Sequence, residues 1–190
     1  MCDKQWVQNC LRHNRNSAIL MLSSMQLLNS DAVIQLADKI ILIKEDEVVF
    51  NPLPKDFCVY KYGIDLNQVI NEYLHEKTRF TESLEEFYKA IRRSLIKESF
   101  EVVKAYAEYS NSSSGLKCCP WYQFARILRN AISHDFHFRF NKYDLTLLPL
   151  TWHNVTIQSA MHDQQLSGDV LSHGISWDLY NEMVQFVNCH

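Results

Sequence analysis

Between positions 126 and 139 the chain concentrates Arg126, Arg129, Asn130, Ser133, His134, His137 and Arg139. Wound as a helix at about 100° per residue, Arg129 and His134 lie about 140° apart, with Ser133, Arg126, His137 and Asn130 between them. Asp135 points elsewhere, so this stripe holds guanidiniums, an amide, a hydroxyl and imidazoles without a carboxylate. Trp121, Phe124, Ala125, Leu128, Ala131 and Ile132 form the opposite, apolar stripe and face a core.

That inventory suits cleavage of a phosphodiester in RNA. The reaction needs a group that takes the 2′-hydroxyl proton or protonates the leaving 5′-oxygen, and a cation for the phosphoryl oxygens as their charge grows. Histidine titrates near about 6.5, while arginine keeps its charge and offers a planar fork to phosphate. Asn130, one turn before His134, can orient the imidazole or bind phosphate itself. No Asp, Glu, His or Cys group with metal-ligand spacing lies nearby, so the expectation is metal-independent chemistry with no cofactor. The structural alternative is a merely solvated stripe, or a buried hydrogen-bond network joining Asn130 to His134. An Arg followed by a His at this range arises by chance in a chain with 8 His. The Asn directly after the Arg, and the placement on one polar face, make the pattern more specific.

Arg129-Asn130-Ala131-Ile132-Ser133-His134 resembles the R-N-x-x-x-H signature of the HEPN superfamily, small helical bundles of which many are metal-independent endoribonucleases in toxin–antitoxin, abortive-infection and other defence systems. The likeness is specific over residues 121–138 and topological over 65–138; it does not cover 1–60 or 140–190. It implies Arg129 and His134 as a catalytic pair, with Asn130 as the motif's polar residue. It also implies a homodimer whose two motifs face each other across a cleft, an RNA substrate, and an antitoxin or neighbouring defence protein as a further partner. Arg126, Ser133, His137 and Arg139 are RNA-binding candidates from the stripe itself. One branch of these toxins carries, two residues after the histidine, a tyrosine that its antitoxin modifies; Phe136 stands there. Non-catalytic HEPN modules that bind or oligomerise are the second expectation.

The elements that must hold this stripe read as mainly α. In 190 residues there are only 4 Gly and 4 Pro, too few turn residues for an all-β chain. Residues 3–45 look helical, with a break at Asn29-Ser30-Asp31, where Ser30 or Asp31 caps a second helix carrying Val33, Ile34, Ala37, Ile40 and Ile41. Val48–Phe50 and Phe57–Tyr62 are brief strands or loop, and Asp65 caps a helix to about Lys77. Leu84, Phe87, Ile91, Leu95, Val102 and Tyr106 predict a long helix over 81–109, opened by a Ser83/Glu86 capping box. Asn111–Gly115 is a loop, and Pro120 opens the motif helix from Trp121 to about Phe136. Tyr143–Leu150 and Trp152–Ser159 suggest a hairpin or small β-patch, and Ser176 caps a terminal helix. The expected fold is therefore an HEPN-like antiparallel bundle over 1–140 with a β-containing elaboration over 141–190 packed on the same domain.

Charge and cysteine usage narrow the class. A balance of 19 Lys+Arg against 22 Asp+Glu, net −3, leaves no global field for a polyanion, so a nucleic-acid site must be local. A DNA-binding regulator resting on Arg126, Arg129, Arg139 and Lys142 lacks a helix-turn-helix. The 6 Cys show no zinc or disulfide spacing and read as reduced thiols, with Cys118-Cys119 weighed as a redox pair at a helix start and set below buried thiols. Arg12 and Arg15 ahead of Ala18–Leu28 imitate a leader peptide, but Ser23, Ser24 and Gln26 interrupt the apolar run. No stretch reads as a membrane span, and the expectation is a cytoplasmic protein.

Overall fold

Helices dominate, as the scarcity of glycine and proline requires. The computed structural model describes residues 3–28, 39–44, 47–52 and 62–190. In chain order the elements are α1 (Lys4–Leu28), β1 (Lys39–Lys44), β2 (Glu47–Pro52), β3 (Tyr62–Asp65), α2 (Asn67–His75) and α3 (Lys77–Arg92). A π-helical segment (Arg93–Glu98) leads into α4 (Ser99–Tyr109), α5 (Ser113–Cys118), α6 (Tyr122–Ser133) and α7 (Lys142–Leu147). Strands β4 (Leu150–Trp152) and β5 (Val155–Ile157) and helix α8 (His173–Cys189) complete the chain. Two compact units emerge: Met1–Leu20 with Lys89–His190, and Met21–Tyr88. Residues 141–190 thus belong with 89–140, while 21–88 form a unit of their own within the stretch expected to be a helical bundle.

The second unit holds an antiparallel sheet of order β2-β1-β3, with Ile41 opposite Phe50 and Ile64. This corrects the expected helix through Ile40 and Ile41. A short β-branched run flanked by Lys39 and Lys44 satisfies either period, and its branching at Cβ favours the pleated strand. The expected caps Ser30 and Asp31, and Phe57–Lys61, lie outside the described residues. Asp65 ends β3 instead of capping α2, whose N-cap is Leu66, without a side-chain bond. Helix α3 starts at Lys77, so Ser83 and Glu86 lie within it and form no capping box at its start.

The first unit positions the motif. The predicted helix over 81–109 is helical throughout, but residues 93–98 are π-wound, and Leu95 and Ile96 are both buried there. Phe100, Val103 and Tyr106 of α4, Phe124, Leu128 and Ile132 of α6, and Leu179, Met183 and Val187 of α8 build the core. Val7, Leu11 and Ala18 of α1 join it, and the Tyr180 hydroxyl donates to the Leu11 carbonyl at 2.9 Å. Trp121 and Trp152 are core residues as well.

Several local expectations change. Asn111–Gly115 is not all loop: Asn111 adopts φ 56°, Ser112 stands at the N-cap position without a side-chain capping bond, and α5 follows, anchored by buried Leu116. Tyr143–Leu147 is not strand, because Asn141 and Asp144 form a capping box that starts α7: Asn141 Oδ1 accepts the Asp144 N–H at 2.8 Å, and Asp144 Oδ2 accepts the Asn141 N–H at 3.0 Å. The hairpin is present in β4–β5, with Trp152 opposite Val155. Ser172, not Ser176, caps α8 by accepting the Ile175 N–H, and Ser176 is buried one turn inside. Among the described residues no helix is long and apolar enough to cross a membrane, and Cys10, Cys118, Cys119 and Cys189 are free thiols.

Candidate active site

Helix α6 is amphipathic as predicted. Phe124, Ala125, Leu128, Ala131 and Ile132 are buried, which leaves Arg126, Arg129 and Asn130 at the surface of the first unit. Those three, with Tyr122, meet Phe100, Glu101 and Lys104 of α4 around a cleft of about 190 Å³. Ring contact between Phe100 and Tyr122, centroids 5.7 Å apart, gives the cleft an aromatic wall.

The stripe without carboxylates acquires them from other elements. Glu101 Oε1 accepts both Nε and Nη2 of Arg129, and Arg129 Nη1 donates to Asn130 Oδ1 at 3.1 Å. Arg126 Nη2 binds buried Asp144 at 2.5 Å, while its Nε donates to Gln123 Oε1 at 2.8 Å. Arg139 pairs with Asp163 at an exposed position. Arg126, Arg129 and Arg139 therefore each carry a carboxylate partner, so the local charge is lower than the stripe alone predicts. A phosphate entering the cleft competes with Glu101 for Arg129.

The helix ends earlier than expected, and this changes the geometry of both histidines. His134 is the C-cap, its N–H shared between the Asn130 and Ala131 carbonyls at 3.0 Å each. Asp135 and Phe136 then adopt φ 53° and 58° in succession. Left-handed φ is uncommon for non-glycine residues and an outlier for a bulky one, so two in a row require support from their surroundings. Phe136 supplies it by burying its ring to 2% exposure, with the Arg93 guanidinium 5.7 Å above the ring centre. His137 thus lies off the helix, and the wheel that placed it on the stripe does not apply to it.

After the left-handed pair the chain is extended. Phe136, Phe138 and Phe140 are buried in alternation. The residues 162–166 secure them: the Leu166 N–H donates to the Phe136 carbonyl, the Phe138 N–H to the Gln164 carbonyl, and the Asp163 N–H to the Phe138 carbonyl. The C-terminal elaboration thus holds the exit of the motif.

His134 is exposed, and its ring makes no hydrogen bond among the described residues. Asn130 is engaged by Arg129 and does not orient the imidazole. His137 is half-buried, with Nδ1 2.8 Å from the Asp135 carbonyl. A carbonyl only accepts, so Nδ1 carries the proton and, in the neutral ring, Nε2 keeps its lone pair. Ser133 directs its hydroxyl back to the Arg129 carbonyl at 3.0 Å. The cleft gathers Arg126, Arg129 and Asn130; His134, Ser133, His137 and Arg139 do not line it.

Glu101, Lys104 and Tyr122 went unnamed at the sequence level because nothing local pairs α4 with α6. Asp144 had a signal in Asn141-x-x-Asp144, and the extended exit had one in the Phe-x-Phe-x-Phe alternation of 136–140. Cys119 is the C-cap residue of α5, and burial first, then Glu182 and Cys118, push its pKa up, the direction opposite to thiol activation. Among the described residues no three His, Cys, Asp or Glu side chains gather into a metal-binding group. No family model, curated protein or solved structure matches the chain.

Proposed function

We propose that the protein is a metal-independent endoribonuclease of the HEPN type, acting in a toxin–antitoxin or antiphage-defence setting, with Arg129 and His134 as its catalytic pair. The observation that carries this reading is the exposed His134 ring, without a hydrogen-bond partner among the described residues, at the end of the helix whose Arg129 and Asn130 line a surface cleft. Arg129 engages the phosphoryl oxygens after exchanging Glu101 for phosphate. One imidazole removes the 2′-hydroxyl proton, the 2′-oxygen bonds to phosphorus, and the P–O5′ bond breaks. A second imidazole, protonated, gives its proton to the departing 5′-oxygen. The products are a 2′,3′-cyclic phosphate and a 5′-hydroxyl. A homodimer bringing two copies of His134 to one phosphate supplies both groups, and His137 with its free Nε2 is the nearest substitute in sequence.

Purified protein is expected to cut single-stranded RNA in the presence of EDTA. His134→Ala, with an unchanged circular-dichroism spectrum and oligomeric state, loses the cleavage, as does Arg129→Ala. A folded His134→Ala variant as active as the wild type refutes the mechanism.

A second reading has its own support in the carboxylate partners of Arg126, Arg129 and Arg139, which suit a non-catalytic binding or oligomerisation module. It predicts no cleavage and no RNA affinity at any salt concentration.

A further inference from the structure

Beside the cleft, Tyr143 presents an aromatic ring that packing does not explain. It is 54% exposed on α7, in a unit where Phe124, Phe136, Phe138 and Trp152 are all buried. Its orientation is nevertheless set. The Arg126 guanidinium lies 5.2 Å from the ring centre, and Gln123 Nε2 donates to the hydroxyl oxygen at 3.3 Å. Arg126 is held in turn by buried Asp144 and by Gln123 Oε1, so the support beneath the ring is fixed from two sides. Arg126 also lines the cleft that contains Arg129. A flat, oriented, half-exposed ring thus adjoins Arg126, which lines the same cleft as Arg129, the guanidinium assigned to the scissile phosphate.

We propose that Tyr143, backed by Arg126, is a stacking platform for one unpaired base of the RNA strand, next to the phosphate held by Arg129. This rests on the nuclease reading and favours single-stranded RNA as its substrate class, since a base inside a duplex reaches the ring only at the cost of its own unstacking and unpairing. Aromatic stacking tolerates every base, because each has a π-face. The platform therefore selects strandedness in preference to sequence. It is a positioning residue, and its contribution falls on substrate binding while the proton transfers remain with the imidazoles.

The test measures kcat and KM on a single-stranded oligoribonucleotide, and binding of the same strand carrying 2-aminopurine to the non-cleaving His134→Ala protein. Tyr143→Leu keeps bulk and loses the π-face; KM is expected to rise about tenfold with kcat within about twofold. Tyr143→Phe and Tyr143→Trp keep the wild-type KM. An abasic nucleotide at the stacked position costs the wild-type protein a similar factor and costs Tyr143→Leu nothing further, the non-additivity expected of two partners in one contact. If the protein cuts RNA and Tyr143→Leu leaves KM unchanged, the platform is refuted and the nuclease stands. If nothing is cut but 2-aminopurine quenching still depends on the Tyr143 ring, the nuclease reading falls and the base site stands. If neither cleavage nor Tyr143-dependent quenching occurs, both are refuted.

Discussion

Glu101 on α4 accepts two donors of Arg129 on α6 with a single carboxylate oxygen. The strongest candidate phosphate ligand of the motif is thereby held by an internal anion, at a position where both side chains remain about a third exposed. On the proposed nuclease reading, an incoming phosphate has to exchange with this carboxylate.

Glu101→Gln weakens that competition while retaining the hydrogen-bonding shape. RNA binding is expected to tighten severalfold. Its dependence on salt is expected to steepen by about 0.7 in the slope of log K against log salt, the value for one added phosphate contact on a single strand. A salt titration of RNA binding by anisotropy checks this; an unchanged slope shows that Glu101 does not compete with phosphate.

Asp144 is 1% exposed, completes the capping box of α7 by accepting the Asn141 N–H, and binds Arg126. Removing it leaves a half-buried guanidinium without its anion and α7 without its box. Asp144→Ala is expected to lower unfolding free energy by about 3 kcal/mol, within the range for breaking a buried pair. Urea denaturation measures it, and a loss below about 1 kcal/mol contradicts the assignment of Arg126 as a structural as well as a cleft residue.

Phe136 combines a left-handed backbone with a buried ring. Phe136→Ala removes the packing that holds the turn after His134 and is expected to cost about 3–5 kcal/mol. Hydrogen exchange at Phe138 and Leu166, whose N–H groups bond across to the facing segment, is expected to accelerate first. Uniform protection at those amides in the variant argues against Phe136 as the anchor.

Tyr180 donates its hydroxyl to the Leu11 carbonyl, and burial raises its pKa, with Arg15 opposing. The folded state therefore holds the phenolic proton more tightly than the unfolded chain. This contribution is fully present below the ordinary value of 10.0 and is lost as pH rises through the higher folded value. Tyr180→Phe is expected to lose about 1 kcal/mol at neutral pH and to lack this alkaline decline. Parallel thermal melts from pH 8 to 11 compare the slopes; identical alkaline slopes rule out the linkage.

What could be read before folding was whatever repeats with a local period. The apolar stripe of α6, the helical run through 81–109, the hairpin near 150–157 and the terminal helix follow from spacings of three to four or of two, which side-chain geometry imposes within one element. The same rule carried too far at two places. Ile40 and Ile41 satisfy both periods, and the choice of strand shows itself in pairing with Asn51, Phe50, Asp65 and Ile64, partners contributed by two other strands. His137 satisfies the helical period of α6, but the helix has already ended at His134 because Phe136 and residues 162–166 draw the chain into an extended ladder.

The chemistry divides in the same way. Sequence alone determined that guanidiniums, an amide and imidazoles occur together in one short segment, since neighbours in the chain remain neighbours in space. Tertiary structure decided their electrostatic state. Glu101 comes from the preceding long helical run, Asp144 from a capping box and Asp163 from the returning segment. Coulomb attraction acts through space and falls with distance, so the anions that set the charge of Arg126, Arg129 and Arg139 are identified only when those elements pack together.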